Sequence, residues 1–200
     1  MIIINEHPFH RETVLFTFAL ASEAADVFHN CNVLVTGIGK VNAAYELTKR
    51  IHKQKPSLII NLGSAGSRSF PKGTVVCCTR FIQRDMDVRG LGYARYETPL
   101  SGIPAVLEYG MHMETLPQGT CGTGDHFETK LSEQPYDVVD MEAYALALTA
   151  LKEGIPFLCL KYISDAADDA AADDWSVQVH QAATAYGSLF GLTQPAVAGI

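Results

Sequence analysis

Apolar residues recur along this chain in two rhythms, and the two alternate. Short β-branched or aromatic runs, each bounded by Gly, Pro or polar residues, predict buried strands at 14–20, 33–36, 58–62, 74–80 and 157–163. Between them the apolar spacing lengthens to three and four. Ala43, Ala44, Leu47 and Ile51 predict a helix over 41–53 that ends ahead of Pro56. An Ala/Leu-rich stretch predicts a second over 141–153, stopped by Gly154 and Pro156. Val179, Ala182, Ala183, Tyr186 and Leu189 predict a third over 176–192. Strands alternating with helices specify an α/β fold, a central sheet covered by helices, with the whole of 1–200 read as a single domain. Segment 84–119 is rich in Gly and Pro and poor in periodicity. It is expected to hold loops that line a pocket or a partner surface.

Composition narrows the function classes. With 48% hydrophobic and 18% charged residues, the 200-residue chain can bury a continuous core. The net charge is −7, without a basic block, which argues against a nucleic-acid footprint and leaves small uncharged ligands open. Five cysteines (Cys31, Cys77, Cys78, Cys121, Cys159) include no C-x-x-C pair, so buried thiols in a reducing compartment are expected. The apolar start, Met1 to Ile4, is cut off by Asn5, Glu6 and His7. It is too short for a signal sequence or a membrane span, and a soluble cytoplasmic protein without membrane partners is the expectation.

Several segments carry candidate chemistry. Thr36-Gly-Ile-Gly-Lys-Val-Asn42 joins a strand to a helix. A dinucleotide fingerprint would need Gly or Ala at Asn42, and a P-loop would need Gly at Leu34 and Ser or Thr at Val41. Asn61-Leu-Gly-Ser-Ala-Gly-Ser67 reads as a small-residue loop after a strand, where a backbone can approach a ligand. In Val138-Val-Asp-Met-Glu-Ala143, Asp140 suits a helix N-cap. Glu142 sits among apolar residues and must be paired or serve a ligand, for which a sugar diol is suitable. Ser164 and Asp165 end the last apolar strand, at the place where α/β sheets gather ligands. Desolvation of a half-buried Asp165 would favour proton donation near neutrality. Asp168, Asp169, Asp173 and Asp174 miss the spacing of a calcium loop, so no metal is expected. Glu23, in Ala19-Leu-Ala-Ser-Glu23, fits either a first-turn helix acid or a carboxylate aimed into a pocket.

Taken in order, these segments resemble the purine nucleoside phosphorylase superfamily, and most closely its 5′-methylthioadenosine/S-adenosylhomocysteine nucleosidases. The resemblance rests on 36–44, 61–66, Gly124-Asp-His-Phe127, Val139-Asp-Met-Glu-Ala143 and Ile163-Ser-Asp165. It implies a mixed twisted sheet, partly barrel-like and flanked by helices. It implies that Glu142 binds the sugar hydroxyls while Met141 packs on the sugar, and that Asp165 donates a proton toward the purine N7, oriented by Ser164. Phe127 would stack on the base, and Ser64, Ala65 and Gly66 would line base and sugar. Glu23 would activate water. Leu20 stands where the family has a sugar-contacting Met. Glu128 stands where an apolar residue is usual, at the rim near the base's exocyclic group.

Hydrolysis is favoured over phosphorolysis. A phosphorylase would carry an arginine where Asn61 stands, the turn at 37–42 offers only Lys40, and Glu23 would repel phosphate. The resemblance further implies a homodimer and no cofactor. Methylthioadenosine, S-adenosylhomocysteine, a futalosine-like nucleoside and a simple purine nucleoside all remain open as substrates. So do a phosphate-dependent phosphorylase and a nucleoside-binding domain without catalysis.

Overall fold

The computed structural model describes residues 1–126, 128, 134–167 and 171–192. The chain opens as a hairpin, β1 (Ile2–Ile4) antiparallel to β2 (His7–Phe9). Its two linking residues, Asn5 and Glu6, have φ of 44° and 69°, a turn whose twist matches that of its strands. The apolar start is therefore structural: Ile2 and Ile4 are buried in the core.

The main sheet comprises β3 (Val14–Phe18), β4 (Val33–Val35), β5 (Leu58–Ser67), β6 (Val75–Gln83), β7 (Val106–Glu108), β8 (Gln118–Thr123), β9 (Val138–Asp140) and β10 (Phe157–Asp165). Its order is β10-β6-β8-β9-β5-β3-β4, with β7 on the edge of β6, and β10 also pairs with β5. That last pairing closes five strands into a ring, and β3 and β4 extend from it. β3, β4, β5 and β10 run one way, and β6, β8 and β9 the other. The sheet is thus mixed and partly barrel-like. Helices α2 (Lys40–Lys53) and α3 (Ala143–Glu153) pack together over one core; α1 (Ala21–Ala24) and α4 (Ala171–Leu189) belong to the other. Among the described residues no helix is long and apolar enough to cross a membrane. Of the five cysteines, all free, Cys31 is only partly buried.

Two departures from the sequence reading matter for the site. The expected loop at 61–67 is strand: β5 continues through it, pairing Gly63, Ser64 and Ala65 with Lys161, Tyr162 and Ile163. Its small residues serve close approach rather than turning. A Cβ on Gly66 would fall 2.6 Å from Asp165 Oδ1. β10 likewise runs on to Asp165, with an irregularity between Ile163 and Asp165 that re-aims the strand end. β7, β8 and β9 escape a reading by periodicity because they are three to six residues long and β8 is rich in Gly and Thr.

Candidate functional site

The open ends of β3, β5, β6, β8, β9 and β10 surround one cavity of about 240 Å³. Of the residues singled out from sequence, Leu20, Glu23, Ser64, Ala65, Gly66, Glu128, Met141, Glu142, Ser164 and Asp165 all line it. Phe127 lies outside the described residues, as do Asp168, Asp169 and the side chains of Asp173 and Asp174. Among the described residues no group of three or more His, Cys, Asp or Glu is arranged to hold a metal.

Glu23 is buried (4% exposed) and fixed at both oxygens. Oε1 accepts the Ser64 N–H at 3.0 Å and the Ser64 hydroxyl at 2.9 Å; Oε2 accepts the Leu20 N–H at 3.0 Å. The two readings of Glu23 therefore coincide. Its helix, α1, is a single turn, and the carboxylate that closes it also faces the cavity.

Glu142 stands at the mouth of α3, and its Oε1 accepts the Gly39 N–H at 2.8 Å. Gly39 has φ of 91°, a conformation that costs glycine little and turns its N–H toward the carboxylate. Burial pushes the Glu142 pKa up to about 7, helped by the charges of Asp140 and Glu23 and opposed by Lys161 and the Gly39 N–H. Asp165 is fully buried (4% exposed) rather than half-buried. Its Oδ2 accepts the Ser164 hydroxyl at 2.8 Å, and its Oδ1 accepts the Ala167 N–H at 2.9 Å.

Sequence reasoning missed two cations. Lys161, in the middle of β10, is 2% exposed and lies 2.8 Å from Asp140 Oδ2. Asp140 also takes the N–H groups of Glu142 and Ala143 and the hydroxyl of Thr123; it ends β9 two residues before the N-cap of α3, which is Glu142, so it serves the start of that helix from outside the expected cap position. Burial alone would raise Asp140 and lower Lys161. Their mutual attraction reverses both, leaving Asp140 below and Lys161 well above the ordinary value. Lys161 Nζ also approaches Glu23 across Gly63: a Cβ there would meet Glu23 Oε1 at 3.3 Å and Nζ at 3.6 Å. The missed signal was a lysine inside an apolar strand, which burial obliges to be paired. Removing one partner of a buried ion pair costs roughly 3–5 kcal/mol. Lys161→Met is accordingly expected to lower Tm by roughly 10 °C, measured by calorimetry, because Asp140 loses its counter-charge.

The second cation is Arg84, just beyond β6, with its side chain 2% exposed. It donates to Glu128 Oε2 at 3.1 Å, to His126 Nε2 at 2.6 Å, and to the carbonyls of Gly124 (3.3 Å) and His126. An arginine immediately after a strand was its signal, hidden because the strand was expected to stop at Arg80.

The turn before α2 is tied down by carboxylates as well. Asp125 accepts the Lys40 N–H at 2.8 Å, and the Lys40 ammonium is paired with Asp85. The cavity thus brings the anchored carboxylates Glu23, Glu142 and Asp165 together beside apolar residues such as Leu20, Ala65, Val139 and Met141, with the ion-paired Asp140 and Glu128 also in its wall. Such an array can accept hydroxyl hydrogen bonds, exchange a proton with a bound base and polarise a water.

Residues 4–189 match the family model of the phosphorylase superfamily. The 5′-methylthioadenosine/S-adenosylhomocysteine nucleosidase of Exiguobacterium sp. is 36% identical over 163 aligned residues, covering 70% of this chain and 69% of that protein. The nucleosidase of that name from Staphylococcus saprophyticus is 31% identical over 182 aligned residues, 78% of each. Among solved structures, the Helicobacter pylori nucleosidase of the same name superposes with a TM-score of 0.80 at 19% identity, covering 90% of this chain and 97% of that one. The futalosine hydrolase of H. pylori gives 0.79 at 19% identity, covering 91% and 97%. At that identity the two structures speak for the fold.

Proposed function

This chain belongs to the phosphorylase superfamily, and from that premise we propose that it is a purine nucleosidase, hydrolysing the N-glycosidic bond of a nucleoside of the 5′-methylthioadenosine/S-adenosylhomocysteine type. The observation that carries the hydrolytic reading is the placement of Glu23. In this superfamily a phosphate nucleophile would require free donors near the glycine-containing segments. Here the Ser64 N–H and hydroxyl go to Glu23, the Gly39 N–H to Glu142, and the Lys40 N–H to Asp125. Carboxylates occupy those donors, and their charge opposes an incoming anion while suiting water.

In this mechanism Asp165 donates the proton that neutralises the departing base at N7, and the Ser164 hydroxyl and Ala167 N–H hold its carboxyl group in line. Glu142 accepts hydrogen bonds from the ribose hydroxyls, and Met141 and Leu20 pack on the sugar. Glu23, anchored on Ser64 and Leu20, takes the proton from a water that attacks the anomeric carbon. The names of the relatives support the substrate class. Incubation with 5′-methylthioadenosine in phosphate-free buffer tests the proposal: release of free adenine is expected, and an unchanged nucleoside would refute it.

The pH dependence follows from Glu142. Its carboxyl pKa rises from 4.5 to about 7 on folding, so the native state holds this proton more tightly than the unfolded chain. Its contribution to stability is therefore complete below pH 4.5 and is lost as pH rises to about 7. Nucleoside binding moves the other way, because only the ionised carboxylate accepts from both hydroxyls. Across that window Glu142→Gln is expected to flatten the decline of Tm with pH and to raise KM at pH 8. Parallel Tm curves for the two proteins would contradict this.

The protein is also proposed to form a homodimer in the cytoplasm. Val35, Ile38, Val41 and Tyr45 are 44–77% exposed in one stretch, and Ile38 also lines the cavity, so a second copy seated there would reach the site's edge. A monomeric mass by sedimentation at assay concentration would contradict the dimer.

A further inference from the structure

We propose that Tyr186 is a positioning residue for the water-activating carboxylate: acting through one peptide group, it holds Glu23 facing the cavity. This rests on the nucleosidase reading and adds to it a residue that lies behind the cavity wall. Tyr186 stands on α4, packed in the core with Leu62 and Leu160, and is 0% exposed. A buried tyrosine hydroxyl needs a partner, and this one finds the sheet. It donates to the Gly63 carbonyl at 2.8 Å and lies 3.1 Å from the Leu160 carbonyl, so one hydroxyl bridges β5 and β10. Burial also pushes its pKa above the ordinary phenol range, which keeps it a neutral donor.

The Gly63 carbonyl and the Ser64 N–H are opposite ends of the same planar trans peptide group. At its far end the Ser64 N–H donates to Glu23 Oε1 at 3.0 Å. The contacts therefore run from the Tyr186 hydroxyl, through peptide 63–64, to the Glu23 carboxylate. Fixing the carbonyl fixes the direction of the N–H, and each bond polarises the other. This peptide has one neighbouring strand where the rest of β5 has two. Among the described residues, β3 pairs with β5 as far as Asn61 and β9 from Gly66, and between them β5 pairs with β10 alone. Glu23 closes tightly on the same place, since a Cβ on Gly63 would fall 3.3 Å from Oε1. A peptide that tilts would move the carboxylate with it. The other bonds to Glu23 come from the Ser64 hydroxyl and from the Leu20 N–H in its own turn. Tyr186 thus ties that anchor to α4.

The test is Tyr186→Phe, which keeps the ring in its buried place and deletes the hydroxyl. With 5′-methylthioadenosine, kcat is expected to fall roughly 3- to 10-fold, the scale of one hydrogen bond, while KM changes by less than about twofold. In a Glu23→Gln background the same substitution is expected to change kcat by less than about twofold, because the group being positioned no longer accepts a proton. Tyr162→Phe is the matched control. Its hydroxyl also joins β10 to α4, at Gln178 and Gln181, without touching peptide 63–64, and wild-type kcat is expected. In the amide NMR spectrum of the ¹⁵N-labelled chain, the Ser64 amide proton is expected to move upfield in Tyr186→Phe and to stay in place in Tyr162→Phe. Wild-type kcat in Tyr186→Phe overturns the proposal. So does an equal loss in the wild-type and Glu23→Gln backgrounds, or in Tyr162→Phe, which would assign Tyr186 to packing alone. If the wild type releases no base, the nucleosidase reading fails by itself and the Ser64 amide decides: a shift leaves the link from Tyr186 to Glu23 standing, and no shift overturns it.

Discussion

Asp165→Asn is expected to slow base release by roughly 10²–10⁴-fold, the range for loss of a positioned general acid. Asparagine is nearly isosteric, and its amide oxygen can still take either the Ser164 hydroxyl or the Ala167 N–H, both of which Asp165 accepts. The fold should therefore survive, with Tm within a few degrees of wild type. What the amide cannot do is deliver a proton to a leaving base. The loss should fall on kcat, measured by free-base release under saturating nucleoside, with KM changing little. Wild-type turnover in this variant would remove Asp165 from the mechanism.

Glu23→Gln is expected to cost a similar roughly 10²–10⁴-fold, again mainly in kcat, because the proposed role is to accept a proton from water. The anchoring is unusually complete for a catalytic base, with three donors on two oxygens. Glutamine keeps one acceptor oxygen and turns its NH₂ toward either Ser64 or Leu20, so a small fall in Tm should accompany the loss. Nucleoside binding, which depends on Glu142 and the Asp165 side, should persist. A variant that binds nucleoside normally yet does not release base is the expected result. One that releases base normally would place the water-activating group elsewhere.

The sequence made the long elements legible. Strands such as β3 and β10 and helices α2 and α3 carry enough apolar residues for their rhythm to register, and Gly or Pro marks the start of α2 and β10 and the end of α3. The closure of the ring was not legible, because it depends on β9, only three residues long, and on β8, whose Gly and Thr residues give no period. Nor was the true extent of β5. Gly63, Ala65 and Gly66 look like a loop when read alone, and only pairing with β10 explains why a strand is built from them. At the site, glycine turns, strand-end carboxylates and the family resemblance were enough to draw Glu23, Glu142 and Asp165 to one cavity. Arg84 and Lys161 were invisible to that approach because their partners, Glu128 and Asp140, lie 44 and 21 residues away along the chain. Only folding brings those charges within reach of one another.

The central claim is that water, activated by Glu23, is the nucleophile. Turnover of 5′-methylthioadenosine in ¹⁸O-labelled water, with and without phosphate, tests it most directly. Free sugar carrying one label on the anomeric oxygen, formed at the same rate in both buffers, is the predicted result; an unlabelled sugar 1-phosphate that forms only when phosphate is present would contradict it.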